Sequence, residues 1–300
     1  MRRAAAPTCR LCLAAALLLG LAARRAAAAP PARVVSLNPS LTAMVLALGA
    51  RDRLVGVDDF SAREAPEVAS LPRVGGLYNP SLEAVVALRP DLVLLVPSAE
   101  QRDFRERLGA LGIPVLALSP VRFEEVVGAL ETVGERLGRA EAARARARTE
   151  RRALELARRI TEGLPRPRVV LVLQRDPLYV AGGGSFIDEM IAAAGGRNVG
   201  AAFAEPYPRV SQEWLIDAAP ERILDSSNEP GDARAFWSRW PSLPALTQRG
   251  VVVLPAALVT LPGPWLDRAL AALVRGIHGI ELALPADEAA DGAPSPRGTP

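Results

Sequence analysis

The chain has 300 residues, half of them hydrophobic, with 36 basic and 33 acidic side chains and a formal net charge of +3. That length suffices for two domains with full cores, and the composition excludes a disordered or fibrous chain. Every basic residue is arginine, and the arginines are scattered rather than gathered into a nucleic-acid-binding stripe.

In chain order, Met1–Arg10 carries three arginines, Leu11–Ala23 is an apolar run of 13, and Arg24-Arg25 leads to Ala26–Ala29 before Pro30. This is the pattern of an export signal over residues 1–29, cut between Ala26 and Pro30. An uncleaved anchor is the alternative, although a bilayer span needs about 20 apolar residues. Cys9 and Cys12 stand at the start of the apolar run and not at its end, so a lipoprotein is not expected. Cleavage removes five arginines, leaving 31 against 33 acids, a net charge of −2. The basic balance therefore belongs to the signal, and no nucleic-acid partner is expected. Both cysteines leave as well, so the exported chain has neither disulfide nor thiolate chemistry.

Residues 30–138 read as a first lobe. Arg33–Leu37 is a buried strand, followed by a helix over Leu41–Leu48 that stops at Gly49. The strand Leu54–Val57 ends in Asp58-Asp59-Phe60-Ser61, Glu64–Pro72 is irregular, and Val74–Asn79 is a glycine-rich turn. The strand Leu92–Val96, an amphipathic helix to Leu111, the strand Val115–Leu118 and a helix over Phe123–Leu137 complete it. Strands alternating with helices at this pace predict a parallel sheet covered on both faces.

Residues 139–164 form the connector. The stretch is rich in Ala, Arg, Glu and Leu, with its only glycine, Gly163, at the tail. Leu154, Ala157, Ile160 and Leu164 make a narrow apolar face, and Arg151/Glu155, Glu155/Arg159 and Arg158/Glu162 are opposite-sign neighbours on the wet side. About 24 helical residues would reach roughly 36 Å, the width of a small domain.

Residues 165–284 repeat the scheme: a strand Arg168–Leu173, a loop Gln174–Ser185, a helix Phe186–Ala194 and a loop Ala201–Arg209. A strand Val251–Leu254, a loop Leu258–Pro264 and a final helix Trp265–His278 follow, and 285–300 reads as a disordered tail. Ser81–Leu94 (SLEAVVALRPDLVL) and Ser211–Leu224 (SQEWLIDAAPERIL) align without a gap at an offset of 130. Each copy reads as a Ser N-cap, an acid in the first turn, an apolar helix, a proline stop and a strand. The fold predicted is therefore α/β: two lobes, each a parallel sheet flanked by helices, joined by one long rigid helix.

Catalytic groups are scarce. The one histidine, His278, reads as a helix C-terminal residue meeting the dipole, and a triad or histidine metal site has nothing to build from. Gly182-Gly183-Gly184-Ser185 before a helix could cradle a phosphate, but it lacks a P-loop lysine; a tightly packed turn, or a close approach of backbone to a ligand, is the alternative. Asp58-Asp59 reads as solvated surface acid. Phe60, Tyr78, Tyr179 and Tyr207 all fall in loops beside strand or helix ends, where open α/β sheets keep their ligand crevice. Taken singly each could be ordinary packing; together they point to a binding cleft between the lobes.

RVVSLNPSLTAMVLALGARDRLVGV, PRVGGLYNPSLEAVVALRPDLVL, AGGGSFIDEMIAAAGGRNVG and PRVSQEWLIDAAPERIL resemble periplasmic substrate-binding proteins of the iron-siderophore/vitamin B12 type. The likeness runs from Arg33 to Ile280 and is strongest to the cobalamin-binding branch. It implies a class III periplasmic binding protein, a monomer that is not an enzyme and holds no metal or covalent cofactor of its own. Its ligand would be a large metal chelate, cobalamin first, held by Phe60, Leu77, Tyr78, Tyr179, Gly183, Tyr207 and Arg209. It further implies an ABC permease dimer with ATPase subunits as partner, met by Glu83 and Glu213; a helix-dipole role is the plainer alternative for those acids. Leu77 stands where the branch often has tryptophan, and Ala257–Leu261 lacks the charged and aromatic residues of its last ligand loop, which keeps haem and ferric siderophores open. A secreted enzyme or envelope module on the same lobes is the alternative of a different class. Zinc- and manganese-binding relatives use clustered histidines that are missing here.

Overall fold

The structure, a computed structural model, describes residues 29–98, 102–247 and 250–284. The export segment, apart from Ala29, and the tail from residue 285 lie outside them. The strands are β1 (Val34–Ser36), β2 (Leu54–Val57), β3 (Leu92–Leu95), β4 (Val115–Ala117), β5 (Arg168–Arg175), β6 (Leu178–Val180), β7 (Arg197–Asn198), β8 (Arg222–Asp225) and β9 (Val251–Val253). The helices are α1 (Pro39–Ala47), α2 (Asp59–Glu64), α3 (Leu82–Ala87), α4 (Arg102–Ala110), α5 (Phe123–Arg136), α6 (Ala140–Ile160), α7 (Phe186–Ala193), α8 (Gln212–Ala218), α9 (Ala233–Trp237), α10 (Pro244–Thr247), α11 (Ala256–Val259) and α12 (Leu266–His278).

Four parallel strands make the first sheet, in the order β2-β1-β3-β4. The second runs β6-β5-β8-β9 with β7 on β5; all its pairs are parallel except the β5–β6 hairpin. That hairpin departs from the loop expected over Gln174–Ser185. Along β1, β3, β5 and β8 successive side chains enter different cores: Val34, Leu92, Leu94, Val169, Leu171 and Leu224 on one side, Val35, Val93 and Leu95 or Val170, Val172 and Ile223 on the other. Both faces of each sheet are therefore covered, which is why the strands read as unbroken apolar runs.

The repeat is a structural one. Ser81 caps α3 through Ala84 N at 3.2 Å, and Ser211 caps α8 through Trp214 N at 3.2 Å. Each helix is followed by a left-handed residue, Arg89 at φ 45° and Ala219 at φ 44°, then by a buried proline, Pro90 or Pro220. The next acid clamps the start of the neighbouring strand: Arg33 N donates to Asp91 Oδ1 at 2.9 Å and Arg168 N to Glu221 Oε2 at 2.8 Å.

The two sheets share one core. Val34, Leu92 and Leu94 are continuous with Val169, Leu171 and Leu224 through Leu130, Val133, Ala147, Leu154, Ile191 and Leu273 of α5, α6, α7 and α12. The connector α6, 21 residues long, spans roughly 32 Å. Its buried face is Ala143, Arg146, Ala147, Glu150, Ala153, Leu154 and Ala157, one that begins well before the predicted Leu154–Leu164 stripe. Arg146 donates to Pro264 O at 2.6 Å, pairs closely with Asp267 of α12, lies 3.4 Å from Glu150, and stacks 4.9 Å from the centroid of Trp265. Burial, only partly offset by Arg146, pushes the Glu150 carboxyl up to about 8. On the wet side Arg151 reaches across to Glu124 and Glu131 of α5 instead of Glu155, which is taken by Arg158. No helix among the described residues is long and apolar enough to cross a membrane.

Candidate binding cleft

The predicted site residues gather at the outer strands of the two sheets, β2 and β6. In the second lobe, Val180 N donates to Pro208 O at 3.2 Å, Val210 N to Leu178 O at 2.9 Å, and Tyr179 bridges Arg209. The segment 206–210 thus runs antiparallel along β6 as an added edge. Leu178 and Val180 are buried toward the core, as is Pro208. Side-chain alternation sends Tyr179, Tyr207 and Arg209 to the opposite, outward face together. Tyr207 is 41% exposed, and partial burial pushes its phenol up to about 12, so it presents a neutral hydroxyl.

The glycine run behind this face is spent on holding it. Gly182 N donates to Pro206 O at 2.9 Å, Gly183 N to Phe203 O at 3.0 Å and Gly184 N to Asp188 Oδ2 at 3.2 Å. A β-carbon on Gly183 would run into the Ala201 carbonyl oxygen, and one on Gly182 into that of Glu205. Gly183 therefore acts as the close-packing point that seats the Tyr207 loop, and none of the three glycine amides is free to cradle a phosphate.

In the first lobe, Asp58 closes β2 and caps α2. Asp58 Oδ1 accepts from Phe60 N and Ser61 N, both at 2.9 Å, and burial raises its carboxyl against these bonds. Asp58 is fully buried, which corrects its reading as solvated acid; only Asp59 stays partly exposed. The helix itself was missed because six residues carry little periodic signal; the strand-end Asp followed by Ser-Ala-Arg-Glu was the available clue. Phe60 is 40% exposed, with the Arg63 guanidinium 4.5 Å from its ring centroid, a cation the sequence reading did not name. Asp59 N donates to Gly75 O at 3.0 Å, so the turn bearing Leu77 and Tyr78 is held beside α2. Leu77 is half-buried. Tyr78 is 72% exposed and lines a groove of about 310 Å³ with Pro80, Leu82, Phe104 and Arg107, inside the first lobe.

Glu83 and Glu213 are exposed in the first turns of α3 and α8, one in each lobe. The Glu213 backbone amide and the Ser211 hydroxyl hold the Glu213 carboxyl below its usual range. His278 ends α12 before Gly279 at φ 73°. Burial lowers its pKa against the bonds it makes to the Ala194–Gly195 backbone. Among the described residues no group of three or more His, Cys, Asp and Glu side chains could hold a metal ion.

Two α/β lobes on one long helix, with aromatic and arginine side chains gathered at an outer strand of each sheet, match a family model described as periplasmic binding protein over residues 34–258. The chain belongs to the periplasmic binding protein family. A vitamin B12-binding protein of Yersinia pestis (strain Pestoides F) is 30% identical over 260 residues, 85% of this chain and 86% of that protein. The periplasmic vitamin B12 binding protein BtuF of Vibrio cholerae superposes with a TM-score of 0.72 at 24% identity, over 83% of this chain and 97% of that one. A periplasmic heme binding protein from Pseudomonas aeruginosa superposes with a TM-score of 0.69 at 29% identity, covering 84% and 94%.

Proposed function

We propose that this periplasmic binding protein is the solute receptor of an ABC importer, an exported monomer that captures a cobalamin-like corrinoid between its lobes and delivers it to a permease dimer with ATPase subunits. The observation that carries this is the outward face of Tyr179, Tyr207 and Arg209, in a chain that aligns over 85% of its length with a vitamin B12-binding protein. Two phenol rings offer broad apolar and π surface to a flat macrocycle. Arg209 supplies donors to the amide or carboxylate groups at the rim. Phe60 and Leu77 form the opposing wall, with Tyr78 at its margin. The haem reading is favoured by one specific feature, the heme-binding relative at 29% identity. An enzyme on the same lobes would have to work with one histidine, held at the C-terminal end of α12.

Calorimetry on the purified protein with cyanocobalamin, cobinamide, hemin and a set of ferric siderophores tests this directly. The corrinoids are expected to bind most tightly; binding of hemin or a siderophore with no corrinoid binding would reassign the ligand, and binding of none would remove the receptor reading. Tyr179→Ala and Tyr207→Ala are each expected to weaken the bound chelate by about 1–3 kcal/mol, the scale of burying an aromatic ring. Wild-type affinity in both, with folding intact, would move the site elsewhere.

The shared core also limits motion. A loop hinge permits wide closure, whereas a continuous helix packed into both lobes does not. Solution scattering with and without saturating cyanocobalamin is expected to show almost the same radius of gyration, and a large drop would reveal a hinge.

A further inference from the structure

Behind Phe60 lies a chain of four buried polar side chains: Ser36 at the end of β1, Thr42 on α1, Ser61 on α2 and Asp58 at the end of β2. Thr42 Oγ1 donates to Ser36 Oγ at 2.8 Å, Ser61 Oγ to Thr42 Oγ1 at 2.9 Å, and Ser36 Oγ points to Asn38 O at 3.4 Å. Ser61 Oγ also makes a close contact with Asp58 Oδ2. A hydroxyl has one proton to give. Ser61 Oγ therefore stands between Asp58 Oδ2 and Thr42 Oγ1, and its single proton can serve either neighbour. Burial raises the Asp58 carboxyl, while the bonds it accepts from Ser61 and Phe60 act the other way.

What this chain holds is a helix that cannot hold itself. A six-residue helix is far below the length that is stable alone, and Ser61 and Ala62 are its only buried side chains. Little apolar surface pins α2, so its pose rests on the Asp58 cap, the hydroxyl chain and the Asp59–Gly75 backbone bond. Phe60 and the stacked Arg63 ride on it.

We propose that Asp58 and Ser61, linked through Thr42 to β1, are positioning residues that fix Phe60 and Arg63 as one wall of the ligand cleft. The inference rests on the cleft reading above, and neither residue touches ligand. Asp58→Ala removes both the cap acceptor and the side-chain partner of Ser61 Oγ. Asp58→Asn keeps both functions, since the amide carbonyl can accept from the Phe60 and Ser61 amides while its NH₂ donates to Ser61 Oγ.

The test is cyanocobalamin and hemin affinity, by calorimetry on the purified protein, for Phe60→Ala, Asp58→Ala, Asp58→Asn and the Asp58→Ala/Phe60→Ala double variant. Hydrogen exchange of the 60–61 amides is read in parallel. Phe60→Ala and Asp58→Ala are each expected to weaken the bound ligand roughly tenfold. Asp58→Asn should stay within about threefold of wild type, and the double variant should be no weaker than Phe60→Ala. The 60–61 amides should exchange faster in Asp58→Ala alone of the two Asp58 variants. Wild-type affinity in Asp58→Ala beside a weakened Phe60→Ala overturns the positioning role by itself, as does an Asn variant that fails to rescue. Wild-type affinity in Phe60→Ala for both ligands removes Phe60 from the wall and overturns this proposal together with that part of the cleft. Should Asp58→Ala not fold, Ser61→Ala breaks the same chain while leaving the cap acceptor, and the same affinity criteria apply to it.

Discussion

Replacing Arg146 with leucine is expected to destabilise the protein by about 3–5 kcal/mol, the scale for stranding a buried charge. The guanidinium is shared by Asp267 and Glu150, both buried, and it also satisfies the Pro264 carbonyl at 2.6 Å. Its loss would take the cation away from two buried acids and a donor away from the Pro264 carbonyl, inside the junction of α6 and α12. Urea unfolding checks the figure. The companion variant, with Arg146, Glu150 and Asp267 all replaced by apolar residues of similar volume, should recover most of the loss, because a buried ionic cluster is weak evidence of net stability. A single Arg146→Leu protein as stable as wild type would show that water reaches the cluster.

The same cluster gives stability a direction with pH. One arginine cannot balance two carboxylates; Asp267 makes the closer contact, and Glu150 keeps a proton up to about 8. In the unfolded chain that carboxyl titrates near 4.5. Between those values the folded state holds a proton that the unfolded state has released, so stability falls as pH rises from 4.5 to 8 and levels off above. The contribution is on the order of a few kcal/mol. Melting curves of Glu150→Gln should lose that slope while wild type keeps it.

How far the sequence exposes this molecule depends on whether a feature is local. The strand Leu54–Val57 has the predicted bounds, and the Ser81 and Ser211 caps, the left-handed Arg89 and Ala219 and the prolines after them stand in register. Each of these is written in a few adjacent residues. The connector's interior is not. Its buried face is mostly alanine, which carries no periodic contrast, and nothing local marks Arg146 and Glu150 as buried, since Asp267 reaches Arg146 from 121 residues away. Arg151 likewise prefers Glu124 and Glu131 across the helix boundary to Glu155 on its own helix. The β6 strand was hidden because the turn residues Asp176 and Pro177 cut an apolar run that continues as a three-residue hairpin arm. At the candidate site, aromatic side chains in an aromatic-poor chain were visible as candidates. The face that Tyr179, Tyr207 and Arg209 share depends on the 206–210 segment pairing with β6, and the Asp58 chain depends on strand ends meeting in space.

Reversing both repeated acids, Glu83→Arg with Glu213→Arg, is expected to cut uptake by roughly tenfold or more while leaving ligand affinity unchanged. The two carboxylates stand at matching first-turn positions of α3 and α8, both exposed, and neither takes part in a salt bridge among the described residues. A first-turn acid suits the helix dipole, and that alone would account for one copy. Dipole compensation gives no reason for the same acid to recur at the matching position of both lobes. A receptor of two similar lobes meeting a two-subunit permease does give one, because equivalent charges can then meet equivalent cations on each subunit. The single reversals should each lower uptake less than the double, and the double should melt within a few degrees of wild type. Uptake of labelled cyanocobalamin by cells carrying each variant, beside calorimetry on the purified proteins, separates the two roles. Normal uptake by the double variant would leave Glu83 and Glu213 as helix-start residues only, and a defect confined to ligand affinity would place them at the cleft.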